Sequence, residues 1–178
     1  VETVYLGTFR REVLEKLGGF DETFARAQDW ELNHRIRQGG GTVWFTPRLR
    51  VIYRPRSTAR ALARQFFTTG TWRQQVVRRY PGTANARYLA PPVVVLVIVV
   101  ASAGAGAGLA AGVPGAAAGL LAPLAYLGGV GVVTASAAGQ LDRAAVRRLP
   151  LVIVTMHLCW GSGFLWGLLS SLGRRSRR

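Results

Sequence analysis

Three long apolar runs fill most of the second half of this 178-residue chain and limit what it can fold into. They extend from about Leu89 to Val113, Gly115 to Ala138 and Pro150 to Leu172. Each exceeds the ~20 residues that a helix needs to cross the hydrocarbon core of a bilayer. The alternating alanines and glycines from Ala103 to Gly108 permit close helix packing. They do not read as a phosphate loop, because no Lys-Ser or Lys-Thr follows. Residues 1–88 are mixed and charged, residues 89–173 form the expected transmembrane region, and residues 174–178 are a short basic tail. The first part is small for an independent domain.

The chain carries 23 Lys+Arg against 8 Asp+Glu, a formal net charge of +15. Nucleic-acid binders share such a balance. Arginines beside apolar spans point instead to anionic lipid head groups, so membrane lipids are expected partners and nucleic acid is not. Arg143, Arg147 and Arg148 mark the loop before the third run as cytoplasmic. That places residues 1–88 in the cytoplasm, on the inner face of the plasma membrane. Three crossings then leave Arg174, Arg175, Arg177 and Arg178 outside, against the same rule. Either the third run is re-entrant or broken at Gly161-Ser162-Gly163, or the rule fails at this end; three crossings is the reading adopted. Cys159 is the only cysteine, which excludes an intramolecular disulfide. The chain opens on Val1 with no signal-peptide pattern, and a fragment of a longer protein is expected.

Periodicity gives a coarse structure for the first half. Val1–Leu6, Thr42–Phe45 and Leu49–Tyr53 read as strands. Phe9–Leu17 reads as a helix stopped by Gly18-Gly19. Asp29–Gln38 reads as a second helix, with Leu32 and Ile36 on its buried side and Gly39-Gly40-Gly41 ending it. An amphipathic helix starts at Ser57, a good N-cap, breaks at Gly70 and resumes from Trp72 to Tyr80. Such a helix suits either a bilayer surface or a solvated face. The expected fold class is therefore an α/β fragment followed by an all-α transmembrane region of about three helices.

Seven of the eight acidic residues precede position 32. They include Asp21-Glu22, after Gly18-Gly19-Phe20, and Asp29 and Glu31 in the run Gln28-Asp29-Trp30-Glu31-Leu32. Together with Val4-Tyr5-Leu6-Gly7-Thr8-Phe9-Arg10-Arg11-Glu12 and Asn33-His34-Arg35, these motifs resemble the family 2 glycosyltransferases. The similarity is greatest to the branch that includes the succinoglycan-biosynthesis glucosyltransferase, with a membrane-embedded C-terminal part. Arg54-Pro55-Arg56-Ser57-Thr58 and Ala63-Arg64-Gln65-Phe66-Phe67, with Gly70 and Trp72-Arg73, also fit that branch. Motifs carry the resemblance over about residues 2–88; beyond them it rests on hydropathy and on His157-Leu158-Cys159-Trp160-Gly161.

The resemblance implies the C-terminal part of a GT-A domain and an inverting hexosyl transfer. The donor would be a nucleotide sugar, such as a UDP-hexose, and the acceptor a lipid-linked or polysaccharide chain. A hydroxyl is a weak nucleophile at neutral pH, so a carboxylate must take its proton as the new bond forms. The family's base maps onto Asp29, and the glutamate that precedes it in the family is Gln28 here. Asp21, Trp30 and Glu31 map to the acceptor side. Arg64, Gln65, Trp72 and Arg73 lie where processive relatives carry a Gln-x-x-Arg-Trp element, and the match is imperfect. The family's Asp-x-Asp element, which holds Mg²⁺ or Mn²⁺, has no counterpart, so the metal is expected only in a longer protein. The piece alone is expected to bind sugar nucleotide poorly and to be inactive. Other roles stand beside these. Asp21 and Asp29 are good helix caps, Glu31 can pair with Arg35 at i+4, and Trp30 suits a core. A non-enzymatic alternative is a membrane anchor with a basic cytoplasmic platform for lipid or protein partners.

Overall fold

A computed structural model describes Val1, Thr3 and residues 7–175, with side chains described through Ser171. Six α-helices follow one another among these residues: α1 (Arg11–Leu17), α2 (Gln28–Gln38), α3 (Ala59–Arg79), α4 (Ala86–Ala110), α5 (Leu121–Ala137) and α6 (Arg143–Arg175). They fall into two compact units. The smaller comprises Val1–Pro55 and Gln75–Thr83, and the larger Arg56–Gln74 and Ala84–Arg178.

The α/β expectation is overturned, because no strand forms among the described residues. Thr42–Phe45 and Leu49–Tyr53 are non-helical chain without a ladder. A strand satisfies its backbone groups through a neighbouring ladder; among the described residues these segments make none, and Val43 O accepts a single bond, from the Val1 amino group at 3.1 Å. Val43 is drawn onto the core, but Trp44, Leu49 and Ile52 stay exposed, Ile52 to 91%. The strand expected over Val1–Leu6 falls largely outside the described residues.

In the smaller unit, Leu32, Ile36 and Val43 form the core, with Phe9, Val13, Leu14 and Leu17 packed against it. α1 contributes residues three and four apart, the spacing that aligns side chains on one helix face. It stops as expected at Gly18, which is left-handed at φ 73°, and Gly19 N–H closes the end by donating to Leu14 O at 2.8 Å. A Schellman-type end of this kind needs a residue that tolerates positive φ. α2 begins after Ala27, an unusual left-handed alanine at φ 62°.

In the larger unit α3 runs unbroken through Gly70, contrary to the expected break. Its N-terminal cap is Thr58, not Ser57: Thr58 Oγ1 accepts the N–H of Ala61 at 3.2 Å. Gly70 serves close approach. A Cβ there would collide with the backbone oxygen of Trp160 on α6. Gly163 on α6 is equally tight against Phe67 O, and Thr71 Oγ1 donates to Gly163 O at 3.0 Å. Gly161 lies against Pro91 and Val95 of α4. Glycines at crossings let helix backbones meet where a side chain would hold them apart. α6 is also continuous through Gly161-Ser162-Gly163, so the break considered there does not occur.

Three segments are long and apolar enough to cross a membrane: Ala86–Ala110, Ala116–Gln140 and Arg143–Ser171. Two of them start ahead of their apolar runs, at Ala86 rather than Leu89 and at Arg143 rather than Pro150, because polar residues cap and extend the helix starts. Asn85 Oδ1 caps α4 by accepting Tyr88 N–H at 3.2 Å, and Asp142 Oδ1 caps α6 by accepting Ala145 N–H at 2.8 Å. Exposed Val93, Val97, Val100, Leu124, Val132 and Leu151 suit helices whose surrounding solvent is lipid.

Candidate functional site

The acidic residues singled out from the sequence gather around α2 in the smaller unit, but in different states. Glu31 is fully buried. Its carboxylate takes a two-pronged grip from Arg35, with Nε to Oε1 at 2.7 Å and Nη2 to Oε2 at 2.8 Å. The Tyr80 hydroxyl also donates to Oε1, at 2.6 Å. Parallel charge-assisted bonds of this kind are strong and directional. They are also obligatory here, since a buried carboxylate without partners carries a large desolvation cost. The bond to Glu31 raises the Arg35 pKa further. Burial, and then the bond to Glu31, raises that of Tyr80.

The remaining Arg35 donors reach back to the glycine turn. Nη1 donates to Leu17 O and Nη2 to Gly19 O, both at 2.7 Å. The i+4 pair anticipated for Glu31 therefore also clamps the end of α1 and the start of the loop that carries Asp21. Asp21 makes an Asx-type turn in which Oδ1 accepts the Thr23 hydroxyl at 2.6 Å and the Thr23 N–H at 2.9 Å. These bonds, with help from Arg79 and Arg35, hold its carboxyl below the usual aspartate value.

Asp29 is exposed on the first turn of α2. Among the described residues its side chain is engaged only through Oδ1, which accepts the N–H of Trp30 at 2.8 Å. A carboxylate at a helix N-terminus is favoured by the helix dipole. Trp30 is buried at 5% exposure and stacks on His34 with ring planes 9° apart. His34 in turn meets the Tyr80 ring at a centroid distance of 4.7 Å. Burial, and then Arg37, lowers the His34 pKa.

The basic candidates belong to the larger unit. Arg64 is exposed, and Gln65 and Trp72 are half-buried. Gln65 Oε1 accepts Arg56 Nε at 3.2 Å. The Arg73 guanidinium lies 3.9 Å above the centre of the Tyr88 ring. The structure thus gathers Asp21, Asp29, Trp30 and Glu31 in one unit, while Arg64, Gln65, Trp72 and Arg73 share a helix in the other.

Sequence reasoning missed three of these participants. Tyr80 was read only as the end of a basic helix, although it binds a carboxylate 49 positions away. His34 takes part through its ring, and its i+4 spacing from Trp30 is the available signal. Arg35 was paired with Glu31 but not with the two loop carbonyls, which no local pattern reveals.

Among the described residues no three His, Cys, Asp or Glu side chains come together as a metal site. Glu31 is held by Arg35 and Tyr80, and Asp21 by Thr23. Among the described residues the carboxylates do not come together as a seat for a divalent cation.

No family model matches the chain, and no solved structure matches it. Among curated proteins it is similar to the succinoglycan biosynthesis protein ExoA of Rhizobium meliloti, with 27% identity over 175 residues. The match covers 93% of this chain and 47% of that protein. The chain therefore spans about half the length of the relative it matches.

Proposed function

We propose that this chain is the acceptor-side and membrane portion of a family 2 glycosyltransferase. The enzyme would transfer a hexose from a nucleotide sugar, such as a UDP-hexose, to a lipid-linked or polysaccharide acceptor at the inner membrane, with inversion. The similarity to a succinoglycan biosynthesis protein supports a role in assembling an extracellular polysaccharide.

The observation that carries the mechanism is the contrast between two carboxylates two residues apart. Glu31 is buried and fully engaged, whereas Asp29 is exposed on the same helix and engaged through one oxygen. In the proposed step an acceptor hydroxyl attacks the anomeric carbon of the donor. Its proton passes to the second oxygen of Asp29 as the carbon–oxygen bond forms. The bond from the anomeric carbon to the diphosphate oxygen breaks, and nucleoside diphosphate leaves. Oδ1, held by the Trp30 amide, orients the base. Asp21, on the loop clamped by Arg35, is assigned to the acceptor hydroxyls. Trp30 and Glu31 are assigned to holding α2 in place, which their burial supports. Arg64, Gln65, Trp72 and Arg73 are assigned to acceptor or diphosphate groups near the membrane.

The test is Asp29→Asn in the full-length protein, with hexose transfer and donor binding measured together. Transfer should fall by about 10²-fold or more while donor binding is retained; near-normal turnover rejects the assignment. The alternative, a non-catalytic anchor with a basic platform, predicts that Asp29→Asn changes nothing and that neutralising exposed arginines such as Arg60 and Arg64 removes membrane or partner binding.

A further inference from the structure

A polar pair faces outward near the middle of the second and third candidate membrane spans. Tyr126 on α5 and His157 on α6 meet with the hydroxyl and Nδ1 3.3 Å apart and the ring centres 6.1 Å apart. Their hydrogen bond lies at the molecular surface, with His157 exposed and Tyr126 half-buried. His157 is the central residue of the span Arg143–Ser171. No charged side chain occurs between Arg87 and Asp142 or between Arg148 and Arg174, so the two spans offer these rings no ion to pair with.

Other polar side chains in these helices close on their own backbone. Thr134 donates to Val130 O, Ser136 to Val133 O and Ser171 to Leu168 O. Tyrosine and histidine rings reach past their own helix and must find partners elsewhere. A neutral imidazole has one donor and one acceptor nitrogen, and a phenol both donates and accepts. If the Tyr126 hydroxyl donates to Nδ1, the pair is left with Nε2–H as donor and the phenol oxygen as acceptor. If Nδ1–H donates to the phenol, the pair is left with O–H as donor and Nε2 as acceptor. Either tautomer therefore leaves one of each. Among the described residues nothing bonds to His157 Nε2. Lipid tails supply no partner at this depth, and an unmet donor there is costly.

A pair with one donor and one acceptor to spare is complementary to itself. Copies inserted in the same sense are related by a twofold axis along the membrane normal, which leaves depth unchanged. A second copy thus brings the same two groups to the same level, and one symmetric contact satisfies both. Val133, two turns beyond Tyr126 on α5, is exposed and adds apolar contact on that face. Histidines inside spans characteristically bond across helices in this way. We propose that the Tyr126–His157 pair is the centre of a twofold contact between two copies of this chain in the membrane, with each His157 Nε2 bonded to the partner's Tyr126 hydroxyl. This inference does not depend on the glycosyl-transfer reading, because it uses neither Asp29 nor any donor.

The experiment reconstitutes the full chain, labelled with donor or acceptor fluorophores, into phosphatidylcholine vesicles and follows energy transfer as the protein is diluted with lipid. The wild type should associate as a dimer. His157→Leu and Tyr126→Phe should each weaken association about tenfold, as expected for two modest interhelical bonds lost together, while His157→Gln should keep part of it. Mixing provides the discriminating measurement. A His157→Leu chain still offers its Tyr126 to the His157 of a Tyr126→Phe chain, so the mixed dimer regains one of the two bonds. It should associate more tightly than either variant does with itself. Melting of each variant in detergent checks that the helices remain packed; should one variant fail to fold, the self-association of the other decides. The proposal is overturned if the wild type is monomeric at every dilution, as it would be if a different transmembrane helix covers the pair. It is also overturned if both variants dimerise like the wild type, or if mixing restores nothing.

Discussion

The two units of this protein solve the problem of close packing with opposite chemistry. In the membrane unit, α3, α4 and α6 meet through Gly70, Gly161 and Gly163, where backbone touches backbone. In the smaller unit, short helices are held by Glu31, Arg35 and Tyr80 around a small core of Leu32, Ile36 and Val43. The difference follows from the solvent. Lipid is as apolar as leucine, so helices in it gain little from burying leucine and associate by fit, with small residues at the contact. A small unit with little apolar area gains order from a buried polar network, provided every member is satisfied.

The sharpest way to break the contrast is to enlarge a crossing glycine. Gly163→Leu drives a side chain into the Phe67 backbone and should destabilise the membrane unit by more than ~3 kcal/mol. Thermal unfolding of the full chain in detergent will read this out. Gly128→Leu on α5, where nothing lies within 4 Å of an added Cβ, should melt like the wild type. Equal effects at both positions would mean that close contact does not hold these helices.

The matching test in the smaller unit removes the buried charge partner. Glu31→Ala leaves Arg35 and Tyr80 without their acceptor and should cost about 3 kcal/mol. It should also loosen the turn at Gly18-Gly19, seen as faster amide hydrogen exchange there. Unchanged exchange would show that Arg35 does not clamp the loop. Tyr80→Phe deletes a single hydrogen bond to a charged group and should cost about 1.5 kcal/mol, with the Arg35 pair intact.

The smallest effect is a pH dependence confined to the smaller unit. Burial lowers the His34 pKa below its ordinary 6.5, so in the window beneath that value the unfolded chain binds the proton more readily than the folded one. Stability should fall as pH drops from 7 through 6.5 toward the folded value. His34→Gln should flatten that part of the profile. A slope as steep as wild type would assign the dependence to other groups.

Several features were legible in local pattern. The Gly18-Gly19 stop, the Leu32–Ile36 face and the i+4 pair of Glu31 and Arg35 all depend on residues within one or two turns of each other. The strands at Thr42–Phe45 and Leu49–Tyr53 were misread for the complementary reason. Alternating apolar residues give a segment the capacity to pair, but a strand requires a continuous ladder, and none forms among the described residues. Gly70 was misread as a helix breaker. A glycine weakens a helix by about 1 kcal/mol, and a contact 90 positions away, at Trp160 and Phe164, reverses its meaning.

Sequence alone determined that the second half is built from three bilayer-length apolar segments and that the carboxylates cluster before position 32. Both are properties of composition along the chain, and a helix of given length and hydropathy needs no partner to be recognised. Tertiary structure decided which carboxylate is buried and which is exposed, and which glycines are contacts. It also decided that Tyr80 takes part, 49 positions from the carboxylate it holds. Those outcomes depend on groups distant in sequence arriving at hydrogen-bonding or van der Waals distance, and no local pattern encodes that arrival.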